Sequence, residues 1–215
     1  MMTETSDNFF QAIGIISGQL ILNKKPYTLT VLDKNYQVFF KNPSKALPAI
    51  AKEIKNSGNI LRLLVYPNII YNPSKEDPHI QFQIVAWSST TDEPNGIFGQ
   101  LEDLEFILSG LWQFIPGCKT PCLTVFKNYM EDKAENLNKS HVFKRNSILK
   151  AIHVPLLWDD SLGSPSNNPN TTPENLTKPP YISIKARFLP ARNLWKFDSL
   201  IKIPEQQHLS ISKLE

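Results

Sequence analysis

The sequence predicts a mainly β chain with short helices, arranged as two tandem five-stranded barrels. Three observations lead there. Short runs rich in β-branched and aromatic residues alternate between apolar and polar positions, the period of a half-buried strand. One stretch of helical spacing stands after three such runs and before two more. The same landmarks then return, in order, in the second half of the 215 residues, a length that accommodates two domains of about 100 residues each.

Phe9–Leu22 reads as a long first strand, with Gly14 and Gly18 marking bends or bulges. Asn23-Lys24-Lys25-Pro26 turns the chain into Tyr27–Leu32, and Asp33-Lys34-Asn35 turns it into a third strand, Tyr36–Phe40. The period then changes. Ser44 is the expected N-cap of a helix in which Leu47, Ile50, Ala51 and Ile54 share one face, with Pro48 in the first turn and Gly58 just past the end. Ile60–Tyr71 and His79–Trp87 supply the fourth and fifth strands, and polar Ser88–Leu101 reads as a linker.

The second half repeats this order. Phe10-x3-Gly14-Ile15-Ile16 aligns with Phe106-x3-Gly110-Leu111-Trp112, and Leu29-Thr30-Val31 with Leu123-Thr124-Val125. Val65-Tyr66-Pro67 aligns with His153-Val154-Pro155, and Ile80–Val85 with Ile182–Arg187. Four pairings in sequence imply duplication. The second copy departs in two places: Lys127–Lys150 is charged, with a ragged helix expected around Met130–Leu137, and Asp159–Pro180 is a Pro, Ser, Asn and Thr-rich stretch that cannot bury apolar surface. The expected organisation is a disordered 1–8, a first domain 9–88, a linker 89–103, a second domain 104–203 with a mobile loop 159–180 between its fourth and fifth strands, and a tail 204–215.

A bent first strand followed by strand, strand, helix, strand, strand resembles the OB-fold, a partly open five-stranded barrel. The two halves are similar to tandem OB-like domains of the single-stranded DNA-binding and replication protein A type. That resemblance is architectural, implies a ligand-binding role, and transfers no site residue. The segments Phe106-x3-Gly-Leu-Trp-Gln-Phe and Lys185-Ala-Arg-Phe-Leu-Pro also resemble uncharacterised bacterial proteins of the cyanobacterial kind, a likeness that implies no function.

Composition narrows the classes. The N-terminus lacks a basic start followed by an apolar run, so no signal peptide is expected, and no apolar stretch is long enough to span a bilayer. Two Cys argue against a disulfide scaffold, and a soluble cytoplasmic protein is expected. Cys118-x3-Cys122 has neither the spacing of a redox pair nor two further zinc ligands near it. His79, His141, His153 and His208 show no ligand spacing, and Asp159-Asp160 lacks a third acid. Phosphate-binding glycine loops and the nucleophile elbow are absent from the sequence. No enzyme, metal or cofactor is expected.

One segment stands out. Between Lys178 and Lys202, six basic residues face one acid, Asp198, although the whole chain carries only +3. Aromatic residues are interleaved, the combination that holds single-stranded nucleic acid by charge and stacking. Alternation across Tyr181–Phe188 places Lys185 and Arg187 on one face with Tyr181 and Ser183. The expected function is therefore non-catalytic binding of single-stranded DNA or RNA by the second barrel. Lys185, Arg187, Arg192 and Lys196 would be the cations, and Tyr181 and Trp195 the stacking surfaces. The rival expectation is a protein-interaction or assembly module, since a small barrel hosts either role.

Overall fold

Side chains along each strand alternate between buried and outward positions, and this sets how the chain closes on itself. The computed structural model describes residues 11–71, 78–89, 96–115, 118, 120–126, 151–158 and 179–202. In chain order the first elements are β1 (Gln11–Ile21), β2 (Tyr27–Val31), β3 (Lys34–Phe40), α1 (Pro43–Ser57), β4 (Ile60–Ile70) and β5 (His79–Ser89). β1 pairs antiparallel with β2 and β4, β2 with β3, and β4 with β5. A parallel ladder between β3 and β5 closes the ring. This is a five-stranded barrel with the OB-like order that the alternating runs predict. Leu29, Val31, Tyr36, Val38, Phe40, Leu63, Phe82 and Ile84 fill it.

Local details follow from residue chemistry. Leu32 and Asp33 both have positive φ, so the β2–β3 turn is a tight two-residue hairpin placed one residue earlier than the sequence suggests. Helix α1 starts at Pro43 with Asn42 as its N-cap, not Ser44, and the Asn42 carbonyl accepts from the Lys45 and Ala46 amides. Pro48 therefore falls in the second turn. Gly58 ends the helix at φ +86, as expected, its amide bonding the Ile54 carbonyl. Ile50 is the buried residue of the helix, with Ala46, Leu47 and Ile54 packed on the core.

Five further strands are bonded outside this barrel: β6 (Glu105–Gln113), β7 (Cys122–Phe126), β8 (Ala151–Leu157), β9 (Tyr181–Leu189) and β10 (Leu194–Lys202). β6 pairs antiparallel with β7 and β9, β7 with β8, and β9 with β10, while β8 and β10 share a short parallel ladder. These pairings correct the repeat alignment. His153-Val154-Pro155 lies on the third strand of this set, the place of β3. Ile182–Arg187 lies on the fourth, the place of β4. Leu194–Lys202 is the fifth strand, where the sequence reading has a barrel-end cap. Asp159–Pro180 accordingly lies between third and fourth strands, where the first barrel has α1. A Cβ on Gly18 would sit 2.4 Å from the Thr30 carbonyl oxygen, and one on Gly110 2.3 Å from that of Thr124. Gly18 and Gly110 thus make the same kind of close approach to a strand carbonyl, which Gly14 does not.

The two strand sets are not beads on a linker. β1 pairs directly with β6, from Gln11 opposite Ser109 to Gly14 opposite Phe106. The Phe106 ring lies over Gly14, where a Cβ would come within 2.3 Å of it. One apolar core runs through both sets. At its centre Tyr36 and Phe82 meet Phe188 at ring-centroid distances of 5.5 Å each, and Phe188 meets Trp195 at 4.6 Å.

The expected linker is also partly packed. Within it α2 (Ile97–Gln100) and Leu101 carry Ile97, Phe98 and Leu101 onto Ile13, Ile15 and Leu64, a small second core on the outer face of the sheet. The bulge between Leu64 and Val65 turns Leu64 outward into this cluster. The expected N-terminal segment 1–8, the ragged helix at 130–137, the loop at 159–178 and the tail 204–215 lie outside the described residues. Among the described residues no helix is long and apolar enough to cross a membrane.

Candidate nucleic-acid interface

The β9–β10 hairpin carries all six residues singled out by the sequence, and its alternation sorts them. Ile182, Ile184, Ala186 and Phe188 on β9 and Trp195 and Phe197 on β10 point into the core. Lys185 and Arg187 stand on the outward face of β9 and Lys196 on that of β10. Lys196 is the direct cross-strand partner of Arg187. Arg192 is exposed in the short turn Pro190–Arg192 that joins the strands.

Trp195 must be removed from the site. It is 0% exposed, edge-on to Phe106 at 5.4 Å and against Phe188, so it presents no face to a base. The strand parity explains this: Trp195 and Phe197 alternate with Lys196 and Asp198, and the charged pair takes the water. Tyr181 is half-buried at the other end of β9, and burial raises the pKa of its phenol against the lowering effect of its hydrogen bond with Ser109. It stands apart from the hairpin turn.

Two of the four cations are already engaged. Lys185 Nζ lies 3.3 Å from both carboxylate oxygens of Glu105. Arg187 Nη2 donates to Glu102 Oε2 at 2.6 Å and Nη1 to the Asp103 carbonyl at 3.4 Å. Glu105 is the first residue of β6, whereas Glu102 follows α2, so the segment expected to be a linker lays the Glu102 charge along β9. The same strap closes over Arg62, whose Nη2 donates to the Leu101 carbonyl at 2.5 Å. It also takes the Ser17 amide on Asp103 Oδ1 at 2.6 Å. Arg192 and Lys196 form no ion pair among the described residues.

The hairpin turn is fastened to the first barrel. The Tyr36 hydroxyl donates to the Pro190 carbonyl at 3.2 Å and approaches Asn193 Oδ1 at 3.1 Å, and burial pushes its pKa up to about 12. Lys34 Nζ donates to the Ala191 carbonyl at 3.1 Å. Sequence reading missed both residues, because nothing local to β3 announces a partner more than 150 positions away. Beside this junction a cavity of about 350 Å3 is lined by Lys34, Asn35, Tyr36, His79 and Asn193.

Chemistry elsewhere is sparse. Cys118 and Cys122 are free and buried. The Tyr71 hydroxyl, at the end of β4, donates to the His153 carbonyl at 3.0 Å and lies 3.7 Å from Cys122 Sγ. Burial raises the pKa of both Tyr71 and Cys122, which keeps them protonated and poorly nucleophilic. Among the described residues no group of three His, Cys, Asp or Glu is placed to hold a metal ion.

Comparison with known proteins finds no counterpart: no family model, no curated protein and no solved structure matches the chain.

Proposed function

We propose that the chain is a non-catalytic binder of single-stranded nucleic acid, built from two OB-like barrels, β1–β5 and β6–β10, that share a core. The duplication is supported by the matching ladder order and by the paired close approaches, Gly18 to Thr30 and Gly110 to Thr124. The observation that carries the function is the charge on one hairpin. Arg187 and Lys196 are cross-strand neighbours, Arg192 occupies the turn between them, and Lys34 is bonded to that turn from the first barrel. Cations so spaced suit successive phosphates of a flexible strand.

Lys185 is held too closely by Glu105 to serve first. Arg187 is different, because its partner Glu102 is an exposed side chain, and an exposed ion pair worth under about 1 kcal/mol yields to a phosphate. Fluorescence-anisotropy titrations with single-stranded DNA, single-stranded RNA and duplex at two salt concentrations test the reading. Binding to single strands that weakens with salt is expected. No binding at low salt would remove it.

A second reading, docking of a protein partner, is favoured by two exposed apolar side chains at the same end of the β1–β4 ladder, Ile60 opposite Gln19 and Ile21 two residues further along β1. Recovery of one stoichiometric partner whose capture survives nuclease would favour it.

A further inference from the structure

The outward face of β3, β5 and β4 in the first barrel is built unlike the rest of the surface. Register places Gln37, Gln81 and Asn68 in one row across the three strands, and Phe39, Gln83 and Tyr66 in the next row. None of the six positions carries a charge. The first row is an amide chain of fixed direction. Asn68 Nδ2 donates to Gln81 Oε1 at 3.2 Å, and Gln81 Nε2 donates to Gln37 Oε1 at 2.7 Å. One end of the row is left with the Gln37 amide NH2, a donor, and the other with the Asn68 carbonyl, an acceptor. Gln83 makes no side-chain hydrogen bond among the described residues. In the second row Tyr66 is 37% exposed and Phe39 half-buried. Strand spacing sets them about 10 Å apart, with Gln83 between.

Unpaired bases offer π-faces to aromatic rings and in-plane donors and acceptors to amides, and need no charge to be recognised. The amide row also runs into the cation cluster. Gln81 Nε2 lies 3.1 Å from His79 Nε2, and His79 shares the junction cavity with Lys34 and Asn193. Asn193 directly follows Arg192 in the hairpin turn.

We propose that this uncharged face is the base-contacting half of a single-stranded nucleic-acid site whose phosphate-contacting half is the β9–β10 hairpin, so that one strand crosses from one barrel to the other. The inference rests on the nucleic-acid reading. The experiment separates the two by comparing, on the full chain, a mixed-sequence single-stranded DNA with an abasic strand of equal length. Tyr66→Ala should weaken binding of the normal strand about tenfold, the lower range for loss of one stacked base. It should leave affinity for the abasic strand unchanged, and Gln83→Ala should act in the same direction. Lys196→Glu should weaken both strands alike. If the unaltered protein binds neither strand, the nucleic-acid reading falls and takes the inference with it. If it binds, but Tyr66→Ala and Gln83→Ala change neither affinity or lower both equally, the base-contacting face is wrong while the hairpin site stands.

Discussion

At the scale of single residues, parity along a strand decides role more firmly than residue type. Trp195 and Lys196 are neighbours in a segment whose mixture of cations and aromatics suggested stacking, yet one is a core residue and the other faces water. The alternation in Leu194–Lys202 already held that answer, because a strand that exposes Lys196 and Asp198 must bury Trp195 and Phe197. Phe188 is the residue on which the shared core turns, touching Tyr36, Phe82, Phe106 and Trp195. Phe188→Ala should cost about 3–5 kcal/mol, the range for a large aromatic removed from a packed interior, measured by urea unfolding. A cost below about 1 kcal/mol would mean that the site collapses or was never tightly packed. His153 gives a pH signature. Its Nδ1 lies 3.0 Å from Thr124 Oγ1, and burial holds its pKa below the ordinary 6.5. The unfolded chain takes up that proton near 6.5, the folded one only at lower pH. This contribution to stability is therefore complete above about pH 6.5 and is lost as pH falls from there toward the folded pKa. Thermal unfolding followed between about pH 7 and pH 5 should show a steeper acid loss than the His153→Gln variant. Identical slopes would rule out this histidine as the source.

At the scale of elements, the first barrel was legible because each of its strands sits within a residue or two of its alternating run, and because Gly58 closes the helix where a left-handed residue is needed. The second set was misaligned for a physical reason. Its long insertions fall between β7 and β8 and between β8 and β9, so landmark spacing no longer tells third from fourth strand. The strap before β6 was misread because Ser88–Leu101 is polar on average. Its few apolar residues, Ile97, Phe98 and Leu101, are the ones that pack. Glu102 and Glu105 were invisible as partners of β9, since pairing across 80 or more positions leaves no local trace. The strap makes a test available. Glu102→Gln releases Arg187 while altering an exposed side chain. Affinity for single-stranded DNA should rise at each salt concentration, because Arg187 no longer gives up an ion pair to meet its phosphate, while the slope of log K against log salt stays close to that of the unaltered protein, the number of phosphate contacts being the same. Unchanged affinity would show that Arg187 stays on the Asp103 carbonyl and does not meet the ligand.

At the scale of the whole molecule, the β1–β6 ladder, the continuous core and the Tyr36 clasp on the β9–β10 turn join the two strand sets into one body. Such a body should unfold in a single cooperative transition. Tryptophan fluorescence, reporting Trp87 from β5 and Trp112, Trp158 and Trp195 from the second set, should coincide with far-ultraviolet circular dichroism. Two separated transitions would mean that the halves are energetically independent. The same joining fastens Lys34 of one set to the turn that carries Arg192 between Arg187 and Lys196 of the other, and the proposed function depends on that meeting. Its most direct measurement is the salt dependence of single-stranded DNA binding in the unaltered protein and in the Arg192→Glu/Lys196→Glu variant. Four phosphate contacts give a slope of log K against log salt of about −3, and losing two should reduce it to about −1.4 while weakening binding at every salt concentration. A slope near zero in the unaltered protein, or the same slope in both proteins, would contradict a phosphate site on the β9–β10 hairpin.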